Sequence, residues 1–189
     1  VLLQHNVLHA DETPVQMLVP GKGKTQRAYV WAYATTQFAD VRAVVYEFAD
    51  SRAGEHARKF LANWRGKLVC DDHKGYKAGF ELGITEIACV AHARRKFFEL
   101  ADIAETARRK ARGKHAVISP IALEAVKRIE ALFEIERAIG GRSADERKIA
   151  RREQSAPLVV ALEAWMRAER AKLSRGNDLA KAMDYDKID

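Results

Sequence analysis

The chain holds 189 residues, 48% of them hydrophobic, with 33 Lys and Arg against 26 Asp and Glu for a net charge of +7. That length and apolar content exclude wholesale disorder and allow one or two domains with a substantial core. No apolar run approaches the roughly 18 residues of a membrane-spanning helix, no signal peptide is visible, and the positive excess favours an anionic partner, most simply nucleic acid.

In chain order, Val7 to Glu12 reads as a first strand, and Pro20 to Gly23 as a turn. Ala28 to Ala34 is aromatic and apolar on both faces, as a central strand is. Val41 to Phe48 is a third strand, so the first three form an antiparallel meander. Gly54 to Trp64 changes period: His56, Phe60, Leu61 and Trp64 fall on one helical face. Lys67 to Asp71 returns to strand. Lys74 to Leu82 is a short helix closed by Gly83, and Ile84 to Val90 is a fifth strand. From His92 the pattern is helical. Ile121, Ala125, Ile129, Leu132 and Phe133 recur at three- and four-residue steps, and Ser143 with Glu146 makes a capping box. Leu158, Leu162, Trp165 and Leu173 repeat the step, with Pro157 near the helix start. Arg108 to Lys114 is a basic linker. Three strands, helix, strand, helix, strand and then helices is the order of a ribonuclease-H-like domain.

Two strands end in acids: Val7 to Asp11, followed by Glu12, and Lys67 to Asp71, followed by Asp72. A carboxylate that ends a buried strand is costly unless it is paired. Two such strands side by side would gather oxygen ligands for Mg²⁺, and two-metal phosphoryl transfer needs several carboxylates around cations ~3.5–4 Å apart. Period alone leaves Asp71 and Asp72 open, and Asp11 and Glu12 as well. Strand-end acids facing water are the plainer alternative.

Cys70-x-x-His73 and Cys89-x-x-His92 offer a competing zinc reading. Against it, both cysteines lie inside apolar strands, where buried free thiols of a reducing compartment are the default. A third group is His92, Arg94, Arg95 and Lys96, which opens a helix that Phe97 and Phe98 anchor, leaving the basic side chains to DNA phosphate. The glycines at Pro20 to Lys24 lack the Walker spacing. Nothing suggests a Ser-His-Asp triad or a dinucleotide fold.

Leu8 to Met17, Pro20 to Lys24, Ser51 to His56, Val69 to Tyr76 and Cys89 to Phe97, taken in that order, resemble the catalytic region of the IS66-family transposases. Leu173-Ser-Arg and Leu179 to Ala182 resemble the stretch before that family's last catalytic segment. The resemblance implies a DDE transposase core that cleaves and joins DNA. Asp11 and Asp71 fall on the first two acids, as catalytic residues and ligands of Mg²⁺ or Mn²⁺. It implies DNA as partner, a homo-oligomer at full length, no small-molecule cofactor, and a bacterial cytoplasmic, nucleoid-associated setting.

The expectation is therefore an α/β chain in three parts. Residues 1–105 form an incomplete ribonuclease-H-like core with a mixed five-stranded sheet and flanking helices. Residues 106–175 form a helical insertion, and 176–189 a divergent or disordered tail. The family's third acid, a Glu, has no counterpart here, and Glu130, Glu136, Glu146 and Glu153 sit on helices of the insertion. The chain starts at Val1 and reads as a piece of something longer, inactive alone. The alternatives are a non-catalytic DNA-binding remnant and a small zinc-binding module.

Overall fold

The computed structural model describes residues 1–21, 23–71, 73–101, 112–113 and 119–185. Asp72 and nearly all of the basic linker Arg108 to Lys114 lie outside them. Two compact units divide the chain, Val1–Cys89 and Val90–Asp189.

The first unit is built on a five-stranded mixed sheet. Its strands are β1 (Val7–Leu18), β2 (Thr25–Thr35), β3 (Val44–Ala49), β4 (Lys67–Cys70) and β5 (Thr85–Ala88), in the order β3-β2-β1-β4-β5. β1 and β2 pair antiparallel, as do β2 and β3, whereas β1–β4 and β4–β5 are parallel. Helices α1 (Glu55–Leu61) and α2 (Lys74–Glu81) supply the crossovers to the parallel strands. This is the α/β architecture expected from the order of elements, and it is consistent with a ribonuclease-H-like sheet.

Strand lengths differ from the sequence reading for local reasons. β1 runs six residues past Glu12 because the hairpin with β2 continues to Leu18↔Thr25. Beyond Val69 the ladder between β1 and β4 stops, so Pro14 sits where β1 has an open flank, as strand prolines do. β3 starts later than Val41 because Thr35 takes over the preceding backbone. Its hydroxyl donates to the Val41 carbonyl at 3.0 Å and accepts from the Ala43 N–H at 3.0 Å. At the other end, Gly83 closes α2 with φ +102°, a left-handed conformation that favours glycine.

One face of the sheet carries the core. Leu8, Trp31, Tyr33, Leu68 and Cys70 are buried there with Ala57 and Leu61 of α1 and Tyr76 of α2. Tyr33 stacks on Phe60 at 3.9 Å between ring centroids. Helices α1 and α2 approach backbone to backbone at Gly54 and Gly75: a Cβ on Gly54 would sit 2.5 Å from the Gly75 carbonyl oxygen. Since backbone cannot swing aside, Gly54→Ala is expected to cost about 1–3 kcal/mol in urea unfolding. Gly176→Ala, which meets nothing within 4 Å, should stay within about 0.5 kcal/mol of the parent.

The second unit is helical: α3 (Val90–Ala101), α4 (Pro120–Ala138), α5 (Ala144–Ala150), α6 (Ala156–Arg170) and α7 (Asp178–Tyr185). Phe97, Ala125, Val126, Ile129, Leu162, Met166, Ala182 and Met183 form its core. Ser119 caps α4 through the Ala122 N–H, and Ser143 with Glu146 forms the expected capping box of α5. A π-type turn, Arg151–Ser155, joins α5 to α6 without a break. It lies just upstream of Pro157, which cannot donate to the preceding turn, and such widenings accommodate that loss. The helix expected from His92 starts at Val90, so the division at Cys89 places it with the helical unit, ahead of the boundary expected near 105. The segment expected as a tail from 176 holds α7, with Ala180, Ala182 and Met183 buried.

Candidate active site

Strand alternation separates the two acids that the sequence leaves side by side. In β1, Leu8, Ala10 and Glu12 are buried while His9 and Asp11 are exposed. Asp11 therefore faces away from the core, and its Oδ1 accepts from the Glu12 N–H at 3.0 Å. Asp71 follows the last residue of β4. In that strand Leu68 and Cys70 are buried and Val69 is half-buried, and Asp71, past the strand end, is half-buried as well. The parallel ladder ends at His9↔Val69. Asp11 lies two residues past that point in β1, and Asp71 two residues past it on the other segment, the first residue beyond β4.

Asp71 is held from two sides. Its Oδ1 accepts the His73 N–H at 3.1 Å, and its Oδ2 lies 3.5 Å from Arg52 Nη2. Arg52 comes from the link between β3 and α1. Its Nε donates to Glu12 Oε1 at 2.7 Å, and its Nη2 donates to the same oxygen. Glu12 Oε2 accepts from Tyr76 Oη at 2.9 Å, and the Glu12 side chain is wholly buried. Burial, then Glu12, pushes the Tyr76 hydroxyl far above its ordinary range, so it stays a donor. Burial acts to lower the Arg52 pKa, but its hydrogen bond to Glu12 and the charges of Glu12 and Asp71 outweigh this and raise it. Rings of Trp31, His56, His73 and Tyr76 surround the group, with Trp31 5.8 Å from Tyr76 and 6.0 Å from each histidine.

Arg52 and Tyr76 do not appear among the site residues read from sequence, and Glu12 appears only as an alternative to Asp11. Glu12 had a signal: it is in phase with Leu8 and Ala10, so a buried carboxylate there demands a partner. Nothing local names Arg52, which lies 40 residues away.

The donor chemistry of Asp11 and Asp71 suits a hard divalent cation, which takes carboxylate oxygens. Among the described residues, no group of three or more His, Cys, Asp or Glu is placed to hold a metal ion. The zinc arrangement finds little support in its cysteines. Cys70 is buried in the core, while His73, its partner in the spacing, has its Nε2 3.2 Å from the Arg52 carbonyl oxygen. Cys89 is half-buried. Iodoacetamide should therefore label Cys89 in the native chain while sparing Cys70, as read by peptide mass spectrometry.

The basic cluster lies in the second unit, on α3. Arg95 is exposed, and His92 and Lys96 are half-buried. Arg94 Nε donates to Glu130 Oε2 at 2.9 Å, and its guanidinium sits 5.5 Å from the centre of the Phe98 ring. That engagement differs from the sequence picture of Arg94 turned toward phosphate. Arg137 bonds the other Glu130 oxygen at 3.0 Å, and Arg137 first, with Arg94, holds the Glu130 carboxyl below its ordinary range.

The profile described as "Transposase IS66 family" matches residues 1–187. The chain is 44% identical to y4hP, an uncharacterized protein of Sinorhizobium fredii, over 94% of this chain and 33% of that protein. Two further uncharacterized proteins of the same organism are similar. With y4jD the identity is 32% over 93% of this chain and 34% of that protein, and with y4qI 29% over 93% and 32%. The chain thus spans about a third of the length of the curated relatives it matches. No solved structure matches it. No helix among the described residues is long and apolar enough to cross a membrane.

Proposed function

The chain belongs to the IS66 family of transposases, and on that premise we propose that its first unit is the ribonuclease-H-like part of a DDE catalytic core that cleaves and joins DNA. What supports this reading is the parallel pairing of β1 with β4, with Asp11 carried by one strand and Asp71 directly following the end of the other. These two side chains would hold Mg²⁺ or Mn²⁺. Such an ion, when bound, stabilises charge at the attacked phosphodiester. The short aspartate side chains fix that position relative to a rigid sheet, and Tyr76 and Glu12 keep the core side dry and closed. Arg95, with His92 and Lys96, binds DNA backbone, and Arg94 orders their helix through Glu130. In the reaction, water would cleave a phosphodiester with release of a DNA 3′-hydroxyl, and that hydroxyl would attack a second phosphodiester and displace its 3′-oxygen as the new 3′-end.

The test is nicking of supercoiled plasmid by this chain joined to the downstream part of a full-length relative, with Mg²⁺ or Mn²⁺ present. Cation-dependent nicking supports the reading, and a folded chimera that nicks nothing overturns it. The 189-residue chain alone is expected to show no strand transfer, because the described residues include no third carboxylate at the pair.

That same shortage favours a second reading, a DNA-binding protein without chemistry. It predicts binding that weakens steeply with salt, as phosphate contacts do, and that is indifferent to Asp11→Asn, with no cleavage in the chimera.

A further inference from the structure

Arg52 closes a circuit at the end of β4. Its backbone carbonyl lies 3.2 Å from His73 Nε2, the His73 N–H donates to Asp71 Oδ1 at 3.1 Å, and Asp71 Oδ2 lies 3.5 Å from the Arg52 guanidinium. The guanidinium is in turn clamped by Glu12, whose side chain has no exposure and whose second oxygen is taken by Tyr76. Two segments far apart in sequence, the β3–α1 link and the start of α2, thus fix one carboxylate. A planar fork with five N–H donors serves two acids at once, which an ammonium does not.

The charges carry a second consequence. A lone arginine beside Asp71 would oppose any cation that Asp71 helps to hold. Glu12 lies on the core side and bonds the same guanidinium, so the pair is neutral overall and Asp71 keeps its charge. We propose that the Glu12–Arg52 ion pair is a positioning device for Asp71, in which Arg52 orients the carboxylate and Glu12 both anchors Arg52 and cancels its charge. The cation-binding half of this inference rests on the proposed function; the positioning half does not.

The experiment uses the 189-residue chain, Mn²⁺ titration by calorimetry, and urea unfolding. Asp71→Asn should abolish Mn²⁺ binding; if the parent binds no Mn²⁺, or the variant binds equally, the proposed function fails. Glu12→Gln keeps an acceptor for Tyr76 and Arg52 but leaves the guanidinium charge uncancelled. Its Mn²⁺ affinity should fall about tenfold, the lower end of the effect of losing an outer partner of a metal site. Arg52→Lys keeps a charge opposite Glu12 but not the fork. It should lose affinity to a similar degree and stay folded with a modestly lowered unfolding midpoint, and it carries the test should Glu12→Gln fail to fold. Affinities within twofold of the parent in both variants overturn the charge-cancelling role. Positioning is read without metal from a double-mutant cycle between Arg52→Lys and Asp71→Asn in urea. Coupling of about threefold or more in the folding equilibrium constant is expected; independent effects of the two substitutions overturn it.

Discussion

Asp11→Asn or Asp71→Asn in the full catalytic polypeptide is expected to lower DNA cleavage by at least about 10²-fold, more than is lost when only an outer partner of a metal site is removed, while the fold survives. The reasoning turns on what each aspartate does for the structure. Asp11 is on the exposed face, and its Oδ1 accepts the neighbouring Glu12 N–H, which an asparagine oxygen also accepts. Asp71→Asn likewise retains an acceptor for the His73 N–H and gives up charge near Arg52. Neither substitution opens a cavity or buries an unpaired charge, so urea unfolding should move by no more than about 1 kcal/mol. Loss of cleavage with unchanged unfolding therefore assigns the carboxylates to chemistry. Glu136→Gln is the contrasting control. That acid is bonded to Arg151, and replacing it should leave cleavage within about threefold, since surface substitutions away from a site have small effects. Cleavage that survives Asp11→Asn would overturn the catalytic role of the pair.

Much of this arrangement was legible in the sequence because periodicity is local. The 2-residue alternation of β1 and the 3.6-residue spacing of α4 are written in neighbouring residues, so the sheet strands and helices appear in order. Boundaries were less legible where a distant group decides them. Val41 reads as strand, yet the Thr35 hydroxyl captures its carbonyl. β1 stops at Glu12 by hydropathy, yet its partner strand carries the hairpin to Leu18. The helix at Val90 follows the fifth strand so closely that sequence reading grouped it with the sheet, although Phe97 belongs to the helical core. For the candidate site, the two aspartates stand out as acids closing apolar runs. The resemblance, not the pattern, chose Asp11 over Glu12. The alternation of burial shows why they differ: one residue's step along a strand turns the side chain to the opposite face. Arg52 lies in one of the stretches that carry the resemblance, Ser51 to His56, but its pairing with Glu12 was not legible, because an ion pair across 40 residues has no periodic signature.

Trp31→Ala should be the most damaging core substitution in the first unit, at about 3–5 kcal/mol of stability. Trp31 is fully buried and stands directly opposite Glu12 in the β1–β2 ladder. Residues directly opposite in such a ladder share a face and are close neighbours. The indole thus forms a wall beside the buried carboxylate, with Tyr76, His56 and His73 packed around it. Removing it creates a cavity next to a charge, where water then competes with Arg52 and Tyr76 for Glu12. The melting temperature of this unit should fall by more than about 10 °C, given about 4–8 °C per kcal/mol for a domain of this size. Trp31→Phe separates the two contributions. The indole N–H has no hydrogen-bond partner among the described residues, so phenylalanine gives up volume and no bond, and the cost should be only about 1–2 kcal/mol. Because the phenyl ring still walls off Glu12, Mn²⁺ affinity should match the parent in Trp31→Phe and fall in the folded fraction of Trp31→Ala. Equal losses of stability in the two variants would mean that the indole contributes through a contact other than packing against Glu12 and its neighbours.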